Sequence, residues 1–184
     1  MSDLPTGTVT LLLADVEGST NLWQMDPAAM SAAIARLDAT LSRIVEAHDG
    51  VRPVEQGAGD SFVVAFARAS DAVACALELQ VARLAPIRLR IGLHSGEIQL
   101  RDASNYIGPT INRAARVRDL AHGGQTVLTA TTEELVLDRL PRGTWLADLG
   151  SHALRGIARP ERVVQLCHPD LRVDFPALRS TSWA

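Results

Sequence analysis

The stretch TGTVTLLLADVEGST, residues 6–20, joins a strand to a helix and decides how the chain begins to fold. Its β-branched and leucine-rich run continues without a break to Asp15, which is typical of a strand buried on both faces. Gly18, Ser19 and Thr20 follow where a helix should begin, with Ser or Thr as the expected N-cap. A buried strand therefore ends at an acid and passes directly into the N-terminus of a helix.

The next hundred residues predict a sheet flanked by helices. Apolar residues recur every three or four positions over residues 27–48, which indicates an amphipathic helix. Two short strands, residues 51–56 and 61–66, are separated by a glycine-rich tip, and a second long helix is predicted over residues 70–84. With an alternating strand at residues 87–100, this order is typical of a ferredoxin-like split βαβ sheet, an α+β fold.

The second half of the chain predicts additions to this sheet. A loop over residues 102–108 precedes a helix at Pro109–Leu120, and Gly123 and Gly124 follow that helix. A strand at residues 125–128, a short helix capped by Thr131 or Thr132, and strands near residues 144–149 and 162–167 complete the pattern. We expect one domain over residues 1–167, followed by a linker-like tail over residues 168–184.

Composition excludes several classes of protein. The 184 residues carry a net charge of −3, which argues against a chain that coats nucleic acid or an anionic membrane. Cys75 and Cys167 have neither zinc-site nor disulfide spacing, so both are expected in a reduced core. The N-terminal residues do not have the pattern of a signal peptide, and no apolar stretch approaches the roughly 20 residues that span a bilayer. We therefore expect a cytoplasmic protein without a nucleic-acid or membrane partner.

Two acids are candidate metal ligands. Asp15 ends the first strand and Asp60 begins the strand at residues 61–66, so both can reach one edge of a split βαβ sheet. Paired carboxylates are a common way to hold Mg²⁺ or Mn²⁺ beside substrate phosphates. Each acid alone would also suit a solvated turn. The backbone N–H groups of Glu17, Gly18 and Ser19 at the helix start offer a place for phosphate, and the combination indicates a nucleotide.

The stretch NYIGPTINRAAR, residues 105–116, is the second candidate site segment. Asn112 and Arg116 are four positions apart and therefore share one helix face, while Asn105 precedes the helix. Arginine can stabilise charge that develops on phosphorus, and an amide can orient a sugar oxygen. On spacing alone a solvent-exposed face competes with this interpretation, because Arg113 and Arg118 lie on the same helix.

Four segments, LLLADVEGST, QGAGDSFVVAF, IRLRIGLHSGEI and NYIGPTINRAAR, together resemble the catalytic domain of class III nucleotidyl cyclases, the adenylyl and guanylyl cyclases. The resemblance covers residues 8–166 and implies the nucleotide cyclase fold with two Mg²⁺ or Mn²⁺ ions. It also implies a homodimer whose sites take metal ligands from one chain and transition-state residues from the other. The matching positions are Asp15, Asp60 and the Val16 carbonyl for the metals, Asn112 and Arg116 for the transition state, and Arg155 in place of the usual triphosphate-binding lysine.

The purine-reading positions depart from the family. Gln56 and Asn105 stand where adenylyl cyclases of this family have Lys and Asp, Thr or Ser, and where guanylyl cyclases typically have Glu and Cys. Because an amide can donate or accept a hydrogen bond, these residues could face either purine. The leading hypothesis is conversion of ATP to 3′,5′-cyclic AMP and pyrophosphate, with use of GTP left open.

Two other functions compete with a cyclase. One is a nucleotide-binding regulatory domain that signals by dimerising, and the other is a metal-dependent phosphotransferase. The resemblance extends to bacterial cyclases that are fused to signalling or transcription-regulator modules. It therefore predicts such a module as a partner of this chain.

Overall fold

The computed structural model of the chain describes residues 3–54 and 59–180. The strands are β1 Thr8–Val16, β2 Ser61–Phe66, β3 Leu89–Glu97, β4 Gln99–Asp102, β5 Asn105–Ile107, β6 Thr126–Thr129, β7 Trp145–Leu154 and β8 Ile157–Cys167. The helices are α1 Ser19–Met25, α2 Pro27–Ala47, α3 Ala69–Val81, α4 Pro109–Leu120 and α5 Ala130–Val136, the last followed by a 3-10 turn at Leu137–Arg139. In the described ranges, no helix combines the length and the apolar composition that crossing a bilayer requires.

Six strands form one sheet in the order β2-β1-β3-β6-β8-β7, and β4 pairs with β5 outside it. Strand β1 is antiparallel to both of its neighbours, whereas β3 and β6 are parallel and are joined through α4. This arrangement confirms the predicted ferredoxin-like α+β core with C-terminal additions. It also places the end of β1 between the ends of two other strands.

Strand β1 is buried on both faces, as its apolar run predicts. Leu12 and Ala14 belong to a cluster with residues of α2 and α3, while Leu11 and Leu13 pack on the opposite face with residues of α4. Because successive side chains of a strand point to opposite faces, a continuous apolar run serves two cores at once. The helices therefore cover both sides of the sheet around β1.

The first strand of the predicted hairpin is nearly absent from the described residues. Only Val51 pairs, through an isolated antiparallel bridge to Ala65, and residues 52–54 form no strand. Pro53 lacks an N–H and therefore cannot donate to a ladder at that position. The remaining predicted strand residues, 55 and 56, lie outside the described ranges.

Two predicted helix caps are wrong. Gly18 occupies the N-cap of α1 with a left-handed φ of 64°, a conformation that glycine adopts without a steric penalty, so Ser19 is already helical. Helix α5 begins at Ala130, after Thr129, instead of after Thr131 or Thr132. Thr132 is buried and bonds the Ser95 hydroxyl at 2.9 Å, because its side chain faces the sheet.

The predicted loop at residues 102–108 contains β5 and the turn before it, while the end of the strand predicted over residues 87–100 belongs to β4, which pairs with β5 instead of continuing β3. The C-terminal residues 168–180 have no helix or strand, as expected of a linker-like segment, yet they are fixed to the domain. Leu178 is buried beside Val117 and Leu120, and Phe175 stacks on the His122 ring with 6.4 Å between centroids. We call residues 168–180 the C-terminal strap.

The two cysteines are free and buried, as predicted.

A buried imidazole lies on β3. His94 is 6% exposed, and its Nδ1 is 2.8 Å from the Thr129 hydroxyl. Burial lowers the pKa of His94 to about 4, and the charges of Arg113 and Arg159 act in the same direction. The ring is therefore neutral in the folded protein at neutral pH.

This shift makes folding stability dependent on pH. Between about pH 6.5 and 4, His94 is protonated in the unfolded chain but neutral in the folded chain. The stability that depends on the neutral ring is therefore complete above pH 6.5 and is lost as pH falls towards 4. The loss amounts to at most about 3.5 kcal/mol, at about 1.4 kcal/mol per pH unit. We expect His94→Gln to flatten this slope in urea unfolding across the interval. An unchanged slope would contradict the assignment to His94.

Candidate active site

The two predicted metal-binding acids lie side by side at one end of the sheet. Asp15 pairs in register with Ser61, the residue after Asp60, and the Val16 N–H donates to the Asp60 carbonyl at 2.9 Å. The convergence expected from a split βαβ topology is thus present in the backbone. In the part of the chain that the structure describes, the Asp60 carboxylate forms no hydrogen bond or ion pair.

The Asp15 carboxylate is already engaged. It accepts hydrogen bonds from Arg90 Nε at 2.6 Å and from Arg90 Nη2, and Arg118 Nε lies 3.6 Å away. The side chain of Asp15 is only 18% exposed, so this pairing is partly shielded from water. The hydrogen bonds that Arg90 donates to Asp15 raise the pKa of Arg90 above its ordinary value. Two guanidinium groups therefore balance the charge of Asp15 where the resemblance implies a metal.

The donor set is compatible with a hard divalent cation. Across residues 3–54 and 59–180, no three His, Cys, Asp or Glu side chains cluster in a way that could hold a metal ion. The implied ligands are only two carboxylates and the Val16 carbonyl, which are oxygen donors of the kind that Mg²⁺ and Mn²⁺ take together with phosphate oxygens and water. Asp60 fits this role directly, and Asp15 fits it once Arg90 releases the carboxylate.

The turn between β1 and α1 supplies fewer free donors than predicted. The Glu17 N–H donates to the Arg88 carbonyl at 3.0 Å, which leaves Gly18 and Ser19 as the candidate phosphate donors. The Glu17 carboxylate accepts from the Gly123 N–H, with Arg88 Nη2 at 3.8 Å and Arg179 Nη2 at 3.6 Å. In this conformation Glu17 ties the turn to the residues after α4 and to the C-terminal strap.

Helix α4 presents the predicted transition-state pair. Asn112 is exposed, and Arg116, one turn later, is 40% exposed with its Nη1 at 3.6 Å from Asp119 Oδ2. Arg155 lies in the turn between β7 and β8. Arg116 and Arg155 line one cavity of about 240 Å³, so the structure brings together two residues that are 39 positions apart in sequence.

Of the predicted purine-reading residues, Gln56 lies outside the described residues. Asn105 is 2% exposed, and its Nδ2 donates to Asp102 Oδ1 at 3.1 Å. Asp102 also accepts from the Ser104 N–H at 2.8 Å, the contact that contributes most to lowering the pKa of Asp102. Because the Asp102 carboxylate holds the NH₂ group, Asn105 is less free to turn over than a solvated amide.

Sequence reasoning missed four charged residues around these positions: Arg90, Arg118, Asp102 and Arg179. Arg90 was detectable in principle, because it alternates to the polar side of β3 and topology places β3 beside β1. Asp102 was detectable as the acid three residues before Asn105, a spacing that permits a local turn bond. The contact of Arg118 with Asp15 and the place of Arg179 depend on packing that has no local signal.

A family model described as the adenylate and guanylate cyclase catalytic domain matches residues 1–164. An uncharacterized protein of Mycobacterium tuberculosis is 67% identical over 176 residues, which are 96% of this chain and 61% of that protein. The chain thus spans about three fifths of the length of this relative.

Further matches include proteins from trypanosomes. A receptor-type adenylate cyclase of Trypanosoma brucei brucei is 30% identical over 226 residues, covering 95% of this chain and 18% of that protein. A solved structure of an adenylate cyclase from Trypanosoma brucei, described in its monomeric state, superposes with a TM-score of 0.80 at 27% identity. The superposition covers 96% of each chain.

Proposed function

The chain belongs to the family of adenylate and guanylate cyclase catalytic domains, and from that premise we propose that it converts ATP to 3′,5′-cyclic AMP and pyrophosphate. The observation that carries the proposal is the backbone adjacency of Asp15 and Asp60 at one end of β1 and β2, where Asp15 pairs with Ser61 and the Val16 N–H donates to the Asp60 carbonyl. Arg116 and Arg155 support it, because they line one cavity on the same chain. The names of the trypanosomal relatives favour ATP over GTP.

In the proposed reaction the ribose 3′-oxygen attacks the α-phosphorus. The bond from that oxygen to phosphorus forms, the bond from the α-phosphorus to the bridging oxygen breaks, pyrophosphate leaves, and the hydroxyl proton passes to solvent. Asn112 orients the ribose, Arg116 stabilises the charge on the phosphoryl oxygens, and Arg155 binds the departing phosphates. When bound at Asp15, Asp60 and the Val16 carbonyl, two Mg²⁺ or Mn²⁺ ions lower the pKa of the hydroxyl and neutralise phosphate charge.

Arg90 would compete with a metal for Asp15. A cation bound at Asp15 would weaken the two hydrogen bonds that Arg90 donates to that carboxylate. The Arg90 guanidinium would then lie beside a site that receives a polyanion, and the substrate would compensate its charge. Metal and nucleotide are therefore expected to bind cooperatively, each raising the affinity for the other.

We propose a homodimer with two shared sites, in which each site takes acids from one chain and the α4 residues from its partner. The chain carries both sets of residues, as a symmetric dimer requires. Large apolar side chains are exposed on α1, at Trp23 and Met25, and on the β4–β5 hairpin, at Leu100 and Ile107. Such side chains favour contact with a second copy.

The proposal also covers the setting of the domain. Its M. tuberculosis relative is longer than the matched region, which supports a catalytic portion that is coupled to a regulatory module. We propose that this portion works in the cytoplasm. The two amide positions, Gln56 and Asn105, leave GTP as a second substrate.

A product assay tests the proposed function. Purified protein should form cyclic AMP from ATP with Mn²⁺ or Mg²⁺, and the activity per chain should rise with protein concentration because dimerisation completes the sites. Parallel reactions with GTP measure base preference. Nucleotide binding without cyclic product at high protein concentration would favour the regulatory-domain alternative, and a linear product would favour a phosphotransferase.

A further inference from the structure

Three arginines from three separate elements converge on the cavity beside α4. Arg116 comes from the helix, Arg155 from the turn between β7 and β8, and Arg179 from the C-terminal strap. The cavity of about 240 Å³ is lined by one carboxylate, Asp119. Sequence similarity to cyclases accounted for Arg116 and Arg155, whereas Arg179 lies beyond the region of resemblance.

The acids near the cavity balance these arginines only in part, because Glu17 is shared between Arg179 and Arg88. Asp119 is shared, since its Oδ2 lies 3.6 Å from Arg116 Nη1 and its Oδ1 lies 3.1 Å from Arg118 Nη2. Among the described residues, Arg155 forms no ion pair. Like charges gathered around one cavity repel each other, and an anion that bridges them removes that cost. The arrangement is therefore complementary to a group with several negative charges.

Contacts of the strap with the end of α4 set the position of Arg179. Its backbone N–H donates to the Leu120 carbonyl at 2.9 Å, at the C-terminal end of α4, and the preceding Leu178 is buried beside Leu120. Its side chain is 46% exposed and reaches to within 3.6 Å of Glu17 and 3.4 Å of His122 Nδ1. The guanidinium is thus held near the cavity by a fixed backbone while keeping solvent access.

Two further contacts anchor the strap upstream of Arg179. His122 Nε2 is 2.8 Å from the Ala177 carbonyl, and Gln165 Nε2 donates to the Val173 carbonyl at 2.9 Å. Arg172 stacks over Phe175, 4.7 Å from the ring centroid. A segment without helix or strand is therefore held by polar, aromatic and apolar contacts. A segment that served only as a spacer would not need these contacts with the domain.

We propose that Arg179 is a third polyphosphate-binding residue and that the C-terminal strap is the element that delivers it. The ligand class is the diphosphate or triphosphate end of a nucleotide, and the inference deepens the proposed function on which it rests. Arg116 and Arg155 form two sides of the anion site, and Arg179 closes the side that faces the turn at Glu17. The Glu17 contact holds Arg179 in place until an anion arrives.

The test uses inorganic pyrophosphate as the probe, titrated calorimetrically into the full chain without nucleotide. We expect Arg179→Ala to weaken pyrophosphate binding by about tenfold, the usual size of one charge-assisted contact. Arg179→Lys should recover part of the affinity. Arg43→Ala, which removes an exposed arginine of α2, is the matched control and should bind as the wild type does.

A second variant separates the charge from the strap. Leu178→Asp should undock the strap while keeping Arg179, and we expect a loss of pyrophosphate affinity equal to that of Arg179→Ala, with no further loss in the double variant. Equal pyrophosphate affinities in wild type and Arg179→Ala, or no binding by the wild type, would overturn the inference. Because this readout needs no turnover, a chain that forms no cyclic product yet shows these losses would refute the proposed function alone.

Discussion

Asp60→Asn is expected to reduce the rate of cyclic nucleotide formation by about 10²-fold or more and to leave the free energy of unfolding unchanged. The Asp60 carboxylate has no hydrogen bond or ion pair among the described residues, and its backbone carbonyl, which pairs with Val16, is retained in the variant. Asparagine preserves the shape of the side chain and removes one negative charge. Turnover assays and urea unfolding on the same preparation measure the two effects.

Asp15→Asn provides the informative comparison. Turnover should fall as far as in Asp60→Asn, but stability should fall too, by about 2 kcal/mol, because Arg90 and Arg118 lose a partly buried acceptor. The contrast separates a residue that is used only with the metal from one that also holds neighbouring strands together. Retained turnover in either variant would remove that residue from the metal assignment.

Mixing two inactive variants is expected to restore activity. Asp60→Ala removes a metal ligand and Arg116→Ala removes the phosphoryl contact, so each homodimer has two damaged sites. In the heterodimer both changes fall in one site, and the other site is intact. With random exchange, half of the dimers are mixed, and recovery should approach about a quarter of wild-type activity for a symmetric dimer.

The control for this experiment mixes two variants of the same half-site. Asp15→Asn with Asp60→Ala should give no recovery, because both residues belong to the acid half of each site. Size-exclusion chromatography of every variant should show that dimers form. No recovery in the first mixture, with dimers present, would show that the acids and Arg116 do not share sites between chains.

The parts of the fold that sequence predicted well are those with a strong local period. The bounds of α2 and α4 were accurate to within a residue, because apolar spacing and the prolines at positions 27 and 109 define them. The burial of β1 on both faces followed from its unbroken apolar run. Placing Asp15 and Asp60 at the same end of the sheet needed only the topology of a split βαβ sheet.

The parts that sequence could not predict depend on contacts between distant residues. The stretch at residues 51–54 has strand-like residues, yet it supplies only one bridge, and Pro53 explains part of that loss. The C-terminal strap has no apolar periodicity, and its docking depends on the stacking of Phe175 on the His122 ring, a contact between residues 53 positions apart. The sequence alone therefore could not predict it. The same applies to the pairing of Asp15 with Arg90, since that contact required the register of β3 against β1.

The central place of β1 has a consequence for biosynthesis. This strand is translated before both of its partners, because Thr10 pairs with Phe66 and Thr8 pairs with Glu97. Until then a run of apolar residues with unpaired backbone groups is exposed on the nascent chain, which is a template for association with other chains. Chaperone dependence and inclusion-body formation during expression should therefore respond most to changes within residues 8–16.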